Sequence, residues 1–279
     1  MNATTRALHA GAPIGVFDSG MGGLTVLAEL RRELPHAPFI YLGDTARLPY
    51  GTKSASTIVR YALQAAELLV DRGIGTLVVA CNTASSVALP ALRARFEALN
   101  VIGVIEPGAA AACVQTRNRH VAVIGTEGTV RGGAYERAIH AILPDAQVSS
   151  LACQLFVALA EEGWVDGAVV DAAVHRYLGT WLARMPVQPD VLVLGCTHFP
   201  VLAHAIAAVL GPGIRLVDSA RTTAAAVRVL AVRAATPPDT GAPAGMQFLA
   251  TDGVERFARI GSRFLGAAIM DREVELVEL

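Results

Sequence analysis

The sequence predicts an α/β protein of two similar, pseudo-symmetric domains with mainly parallel sheets and an active site in the cleft between them. Three observations support this fold class. From residue 14 onward, short apolar runs alternate with segments of helical period, which is the pattern of strands connected by helices. The runs are mostly continuously apolar, as in parallel strands that helices cover on both faces. One strand, loop and helix pattern also occurs twice, which indicates a duplicated unit.

The individual elements follow from these patterns in chain order. The apolar runs predict strands over residues 14–17, 39–42, 76–79, 101–105, 120–124, 191–194, 214–217 and 247–250. The helical-period segments between them predict helices over residues 23–33, 54–72, 84–97, 131–142, 166–183, 200–209 and 253–264. The segment 235–245 is rich in proline and glycine and is predicted to be the loosest loop.

The internal repeat joins two pairs of segments. Residues 77–83, which contain Cys81, resemble residues 192–198, which contain Cys196, and both precede a predicted helix. A second pair matches residues 15–20 with residues 122–128. Nearly equal offsets are expected of a duplicated domain. The alternative, that strand, loop and helix units generally resemble one another, stays open on this observation alone.

Composition limits the classes of partner. The chain has 279 residues, of which 53% are hydrophobic and 17% are charged, with a formal net charge of −1. This balance is untypical of proteins that bind nucleic acid or anionic membranes. Residues 191–214 carry no charged side chain, but their histidines, Pro200 and Gly211-Pro212 disfavour a membrane span. The lack of a secretion signal over residues 1–13 predicts a cytoplasmic protein.

Two of the four cysteines are candidates for chemistry. Cys81 and Cys196 follow predicted strands directly, where parallel sheets bind ligands and a helix N-terminus favours a thiolate. Cys113 lies in an alanine-rich run and resembles a core residue, and Cys153 is intermediate. A lone cysteine is more often structural, but two at matching strand ends favour a function.

Two facing acid–base groups suit a reaction in which one removes a proton and the other returns it from the opposite face. That reaction is a racemisation or an epimerisation. Asp18 and His198 are candidate proton partners of the thiols, although each could instead cap a backbone group. The glycine-rich stretch 18–23 offers N–H groups to a carboxylate or a phosphate. A metal or disulfide pair of the two cysteines, with His198 as an added metal ligand, is the alternative, although no further close ligand is apparent.

Several motifs in order make the chain similar to the glutamate racemases, in the cofactor-independent aspartate/glutamate racemase superfamily. The resemblance covers residues 13–266. It rests on Phe17-Asp18-Ser19-Gly20, Pro49-Tyr50-Gly51, Ala80-Cys81-Asn82-Thr83, Gly125-Thr126-Glu127-Gly128, Cys153-Gln154-Leu155-Phe156-Val157 with Glu161, Gly195-Cys196-Thr197-His198 and Asp218-Ser219.

The resemblance implies the interconversion of L- and D-glutamate by two cysteine bases without pyridoxal phosphate or a metal, which supplies D-glutamate for peptidoglycan, the cell wall and cell shape. Cys81 would take the α-proton of D-glutamate and Cys196 that of L-glutamate. Asp18 would assist Cys81, and His198 and Glu161 would assist Cys196. The residues implied in substrate binding are Asp18, Ser19, Tyr50, Gly51, Asn82, Thr83, Thr197 and His198. The single lysine, Lys53, agrees independently, because a Schiff base to pyridoxal phosphate has only that one candidate.

The resemblance also implies a first domain of residues 1–107 with 219–279 and a second of residues 108–218. Gln154 and Ala158 depart from the family pattern in the segment that positions Glu161. The implied partner is a small molecule, without nucleic acid or membrane, and a homodimer stays open. Three alternatives also stay open: an aspartate or hydantoin racemase, an amino-acid-binding protein without catalysis, and a thiol redox or metal protein.

Overall fold

The computed structural model describes residues 11–233 and 245–279. Our predictions for residues 1–10 and for the loop segment 234–244 lie outside the described residues. Within the described ranges, no helix is long and apolar enough to cross a membrane.

The strands and helices alternate along the chain, as the apolar runs predict. The strands are β1 (Ile14–Asp18), β2 (Phe39–Gly43), β3 (Thr76–Val79), β4 (Asn100–Gly103), β5 (His120–Gly125), β6 (Gln147–Ala152), β7 (Val191–Gly195), β8 (Arg215–Asp218), β9 (Met246–Ala250) and β10 (Val274–Leu276). The helices are α1 (Leu24–Glu33), α2 (Ala55–Asp71), α3 (Asn82–Arg95), α4 (Ile105–Gln115), α5 (Glu127–Gly132), α6 (Ala134–Ile142), α7 (Gln154–Glu162), α8 (Ala168–Val174), α9 (Thr180–Leu182), α10 (Ala203–Leu210), α11 (Ser219–Arg233) and α12 (Val254–Leu265).

The described strands form two sheets in which every pair is parallel. The first sheet has the order β10-β9-β2-β1-β3-β4, and the second has the order β6-β5-β7-β8. The order β2-β1-β3-β4 therefore recurs as β6-β5-β7-β8. The two sequence repeats fall on equivalent strands, β1 with β5 and β3 with β7. The predicted α/β fold with two similar parallel-sheet units is confirmed.

Some elements differ from the prediction. The strand predicted over 101–105 ends at Gly103, and Ile105 already begins α4. The helix predicted over 131–142 is two helices, because Gly133 adopts a φ of 60° between them. The helix predicted over 166–183 is divided by a π-helical turn, His175–Gly179. The sequence patterns did not predict α4, α7, α11, β6 or β10.

The two sheets are joined by a shared apolar core. Helices α1 and α11 pack against each other, and α4 packs against α6, α11 and β7. One cluster of buried side chains thus includes Val16 and Val78 of the first sheet together with Val121 and Val193 of the second. The division of the chain at residues 107 and 218 stays our proposal. This packing holds the loops at the carboxyl ends of the two sheets against one another.

Candidate active site

A cleft lies where the loops after the strands of the two sheets meet, the position at which parallel sheets bind ligands. It encloses about 490 Å³ of atom-free space, part of it open to solvent. The lining residues are Ser19, Gly20, Leu48, Pro49, Tyr50, Gly51, Cys81, Asn82, Thr83, Thr126, Gln154, Val157, Glu161, Cys196, Thr197 and His198. These include every predicted site residue except Asp18, which lies fully buried behind Ser19 and Gly20.

Cys81 follows β3 and caps the N-terminus of α3. Its thiol donates to Ser19 Oγ over 3.4 Å, and its sulfur accepts from the Ala84 N–H over 3.4 Å. Burial and then the charge of Asp18 raise the pKa of Cys81 to about 12, against the lowering effect of these two hydrogen bonds. Cys81 therefore carries its proton at neutral pH.

Asp18 ends β1 and is fully buried. Its Oδ2 accepts from the Gly20 N–H over 2.9 Å. Burial raises the pKa of Asp18, whereas the charge of His198 and the N–H groups of Gly23, Gly20 and Ser19 lower it in part. A Cβ atom on Gly23 would lie 2.5 Å from Asp18 Cβ, so the chain needs glycine there to turn into α1 past the carboxylate.

Cys196 follows β7 and has a different neighbour. Its sulfur lies 3.8 Å from Nδ1 of His198, whose Nε2 lies 3.2 Å from Oε1 of Glu161. Burial lowers the pKa of His198, but the contacts with Cys196 and Glu161 outweigh it and raise the pKa to about 10. His198 is therefore an imidazolium at neutral pH, with its positive charge beside the Cys196 sulfur.

The first half of the chain holds the Cys196 loop in place. Thr25 Oγ1 of α1 donates to the Thr197 carbonyl over 2.9 Å. A Cβ atom on Gly22 would lie 2.5 Å from the His198 ring and from Thr197 Oγ1. The close approach of the two halves here thus depends on a residue without a side chain.

Glu161 reaches the site from the last turn of α7. Its Oε2 accepts from Arg256 Nη2 of α12 over 3.0 Å. Burial raises the pKa of Glu161, but His198 and Arg256 outweigh it, so the net shift is downward. The departures at Gln154 and Ala158 leave this contact in place. Gln154 itself lines the cleft, and its Oε1 is buried without a hydrogen-bond partner among the described residues.

Tyr50 and Asn82 have part of their polar groups already engaged. The Tyr50 hydroxyl donates to Asp44, which also accepts from Arg47 Nε over 2.7 Å and from the Thr251 hydroxyl over 3.0 Å. The Tyr50 hydroxyl is thus engaged in a buried network, although the residue lines the cleft. Asn82 Oδ1 accepts from the Tyr135 hydroxyl over 2.8 Å, and Asn82 Nδ2 is buried without a partner among the described residues.

Three threonine hydroxyls meet between the halves. Thr83 Oγ1 lies 2.8 Å from Thr126 Oγ1 and 3.2 Å from Thr129 Oγ1. Our sequence analysis did not predict six of the lining residues as site residues: Gly20, Leu48, Pro49, Thr126, Gln154 and Val157. A signal for Thr126 was present, because the second repeat aligns it with Ser19 at an offset of 107 residues.

The other chemistries considered from the sequence need different arrangements. All four cysteines lie in the described ranges and are free thiols. In the same ranges, no three His, Cys, Asp or Glu side chains are grouped as metal ligands. The arrangement itself offers a protonated thiol and a cation-paired sulfur at one cleft, which is what proton removal and return require.

Comparisons with known proteins agree on one family. Residues 23–227 match the family model described as Asp/Glu/Hydantoin racemase. The glutamate racemase of Geobacter metallireducens is 48% identical over 258 residues, which cover 92% of this chain and 94% of that protein.

Solved structures give the same result. Glutamate racemase from Francisella tularensis, in complex with D-glutamate, has a TM-score of 0.88 at 35% identity, covering 96% of this chain and 98% of that one. Glutamate racemase from Thermus thermophilus, in complex with β-chloro-D-alanine, has a TM-score of 0.85 at 43% identity, with the same coverage of 96% and 98%.

Proposed function

The chain belongs to the Asp/Glu/Hydantoin racemase family as an amino-acid racemase similar to glutamate racemases, and from that premise we propose that it interconverts L- and D-glutamate with two cysteine bases and without pyridoxal phosphate. The D-glutamate would serve peptidoglycan synthesis. The observation that carries the mechanism is that Cys81 and Cys196 follow equivalent strands of the two sheets and line one cleft. Free thiols at the site fit the reducing cytoplasm as its place of action.

The reaction of L-glutamate begins at Cys196. As a thiolate against the His198 imidazolium, Cys196 takes the α-proton, and the Cys81 thiol gives its proton to the opposite face of the planar carbanion. One C–H bond breaks and one forms, so atoms and charge balance. The resting protonation of Cys81 and His198 is therefore the one that L-glutamate needs.

The reaction of D-glutamate runs the other way. Cys81 must first be a thiolate, and Asp18, whose pKa is raised by burial, accepts or relays that proton. Cys196 first takes the proton of the adjacent His198 imidazolium and then gives it to the carbanion from its own side. The two directions thus use the same groups with exchanged roles.

The carbanion is held by fixed dipoles. The N-terminus of α3 begins at Asn82 in the cleft, and its first N–H groups have no partner within the helix. Those not already bonded to Cys81 would stabilise the negative charge that develops on the α-carboxylate. The unpartnered Asn82 Nδ2 and the hydroxyls of Thr83 and Thr126 add donors, and Thr197 supplies another on the Cys196 side.

Independence from pyridoxal phosphate has its own support. Lys53 is the single lysine of the sequence, and it is not among the residues that line the cleft in the described part of the chain. A Schiff base to pyridoxal phosphate needs a lysine at the reacting centre.

The test is to incubate the purified protein with each glutamate enantiomer in D2O without added cofactor. We expect loss of the α-proton signal by NMR and decay of optical rotation to zero from both enantiomers, unchanged by hydroxylamine, which traps pyridoxal phosphate. Exchange that is absent for both enantiomers, with binding retained, would instead indicate an amino-acid-binding protein. Inhibition by hydroxylamine would overturn the cofactor-free mechanism only.

A further inference from the structure

A side chain outside the cleft lining completes a chain of contacts to Cys196. Arg256 lies in the first turn of α12, and no motif singled it out. We propose that Arg256 is a positioning residue for the Cys196 half of the reaction, which holds the Glu161 carboxylate so that it orients His198 beside the Cys196 sulfur. The inference rests on the proposed function.

The contacts use both oxygens of one carboxylate. Arg256 Nη2 lies 3.0 Å from Glu161 Oε2, and Glu161 Oε1 lies 3.2 Å from His198 Nε2. Because Arg256 engages one oxygen, the carboxylate plane is fixed and the other oxygen points at the imidazole. His198 then presents Nδ1 to Cys196 over 3.8 Å. Removing Arg256 would free Glu161 to turn away from His198.

The exposed fraction of the side chain decreases from Arg256 through Glu161 to His198. Arg256 is 45% exposed, Glu161 17% and His198 10%. A half-exposed ion pair contributes little to folding stability. We therefore expect the protein to stay folded when this ion pair is lost. The contact matters because it orients Glu161 and, through it, His198. Outer hydrogen-bond partners commonly orient the residues of a site in this way.

The same helix contacts the histidine directly. Phe264, two turns after Arg256, packs edge-on against the His198 ring with centroids 5.2 Å apart. Phe257 of α12 packs against Tyr41 and Phe248 of the first sheet. Helix α12 is therefore anchored on the first sheet, while its Arg256 and Phe264 side chains contact groups of the Cys196 side.

The charged groups that face His198 determine how the loss of Arg256 changes the pKa of His198. They are Cys196 from its own loop, Glu161 from α7 and Asp18 from β1. Without Arg256, the Glu161 carboxylate supports the imidazolium less, and the pKa of His198 falls. The Cys81 side is held by Ser19, Ala84 and the N–H groups around Asp18, none of which contacts Arg256.

Racemisation rates cannot show whether a variant impairs the Cys81 side or the Cys196 side of the cleft. The enantiomers have equal free energy, so kcat/KM must be the same in both directions for any variant. A glutamate with chlorine on Cβ separates them, because each enantiomer needs one base only. The base takes the α-proton, the electron pair forms the Cα–Cβ double bond, and chloride leaves. The enamine then tautomerises and takes up water to give 2-oxoglutarate and ammonium.

The experiment measures chloride release from both enantiomers of this probe. Arg256→Met is expected to slow release from the L-configured probe about tenfold, less than the 10²–10⁴-fold of a positioned acid–base group, and to leave the D-configured probe unchanged. The alkaline limb of the L-probe pH profile should move to lower pH. Arg256→Lys should restore most of the rate, and Arg259→Met, an exposed arginine of the same helix, should behave as the wild type.

Equal slowing of both probes by Arg256→Met would mean a merely structural role, and no slowing would mean no role. Either result overturns the inference. Failure of the proposed function is separate, since the wild-type protein would then not racemise glutamate at all.

Discussion

The Cys81 side and the Cys196 side of the cleft stand at equivalent places in two similar sheets, yet their acid–base neighbours differ in kind. Cys81 lies near Asp18, a fully buried carboxyl group that accepts from a backbone N–H and whose pKa is raised by burial. Cys196 lies beside His198, a cation connected through Glu161 to the half-exposed Arg256. The repeated fold therefore provides two matching positions for thiols, whereas the side chains around them give the two thiols different acid–base partners.

The largest effect is expected from removing either thiol. Cys81→Ala and Cys196→Ala should each lower racemisation by at least about 10³-fold, because one face loses its acid–base group. Cys81→Ala should still release chloride from the L-configured probe, and Cys196→Ala from the D-configured probe. Coupled polarimetry and chloride measurement check both statements.

Cys113→Ala is the matched control for these variants, because Cys113 lies in α4 and is not among the described residues that line the cleft. It should keep the wild-type rate. If either of the two cleft variants racemised near the wild-type rate, the two-base assignment would be wrong.

A smaller, one-sided effect is expected at Asp18. Asp18→Asn keeps the shape and an acceptor for the Gly20 N–H but loses the acid–base function. Release of chloride from the D-configured probe should fall about 10²-fold, with much less change for the L-configured probe. Equal loss from both would show that Asp18 supports the cleft as a whole and would remove the difference between the sides.

The smallest effect concerns stability and pH. The pKa of His198 is raised to about 10 from its ordinary 6.5, so its contribution to stability is fully present below pH 6.5 and is lost as pH rises through 10. Between pH 7 and pH 10, the free energy of unfolding should fall by about 1–3 kcal/mol more in the wild type than in His198→Gln. Denaturant titrations at both pH values measure this.

His204→Gln, which changes an exposed histidine, is the control for that titration and should follow the wild type. An identical decline in all three proteins would show that His198 is not charged in the folded state.

Much of this comparison was predictable from the sequence. The elements that the sequence did not predict were missed for physical reasons. The thiols and their strands show as local patterns, because β3 and β7 are buried on both faces and end at the cysteines. Strand β6 is half-exposed and contains two serines, so no apolar run marks it. Helix α4 is alanine-rich and packs against several elements, so no single apolar stripe marks it.

The electrostatic difference between the sides was only partly predictable. Asp18 and His198 lie next to the motifs, and Glu161 entered by resemblance. Arg256 is one of many arginines, and its proximity to Glu161 exists only after α12 has packed on the first sheet. Thr126 could have been predicted as a lining residue only by aligning the second sequence repeat residue by residue. The domain boundaries and the roles of the site residues stay predictions.

The lining of the cleft has a consequence for turnover. Apart from the His198 imidazolium, which is paired with Cys196 and Glu161, no cationic side chain is among its described lining residues, although the substrate carries two carboxylates. The product is the mirror image of the substrate and has the same groups, so any strong hold on one would also retain the other. A hydrogen bond from a neutral hydroxyl or N–H group to a carboxylate is readily replaced by one from water. A guanidinium that donates two parallel hydrogen bonds binds a carboxylate more strongly. We therefore expect weaker binding and faster release of either enantiomer than a guanidinium-lined site would give.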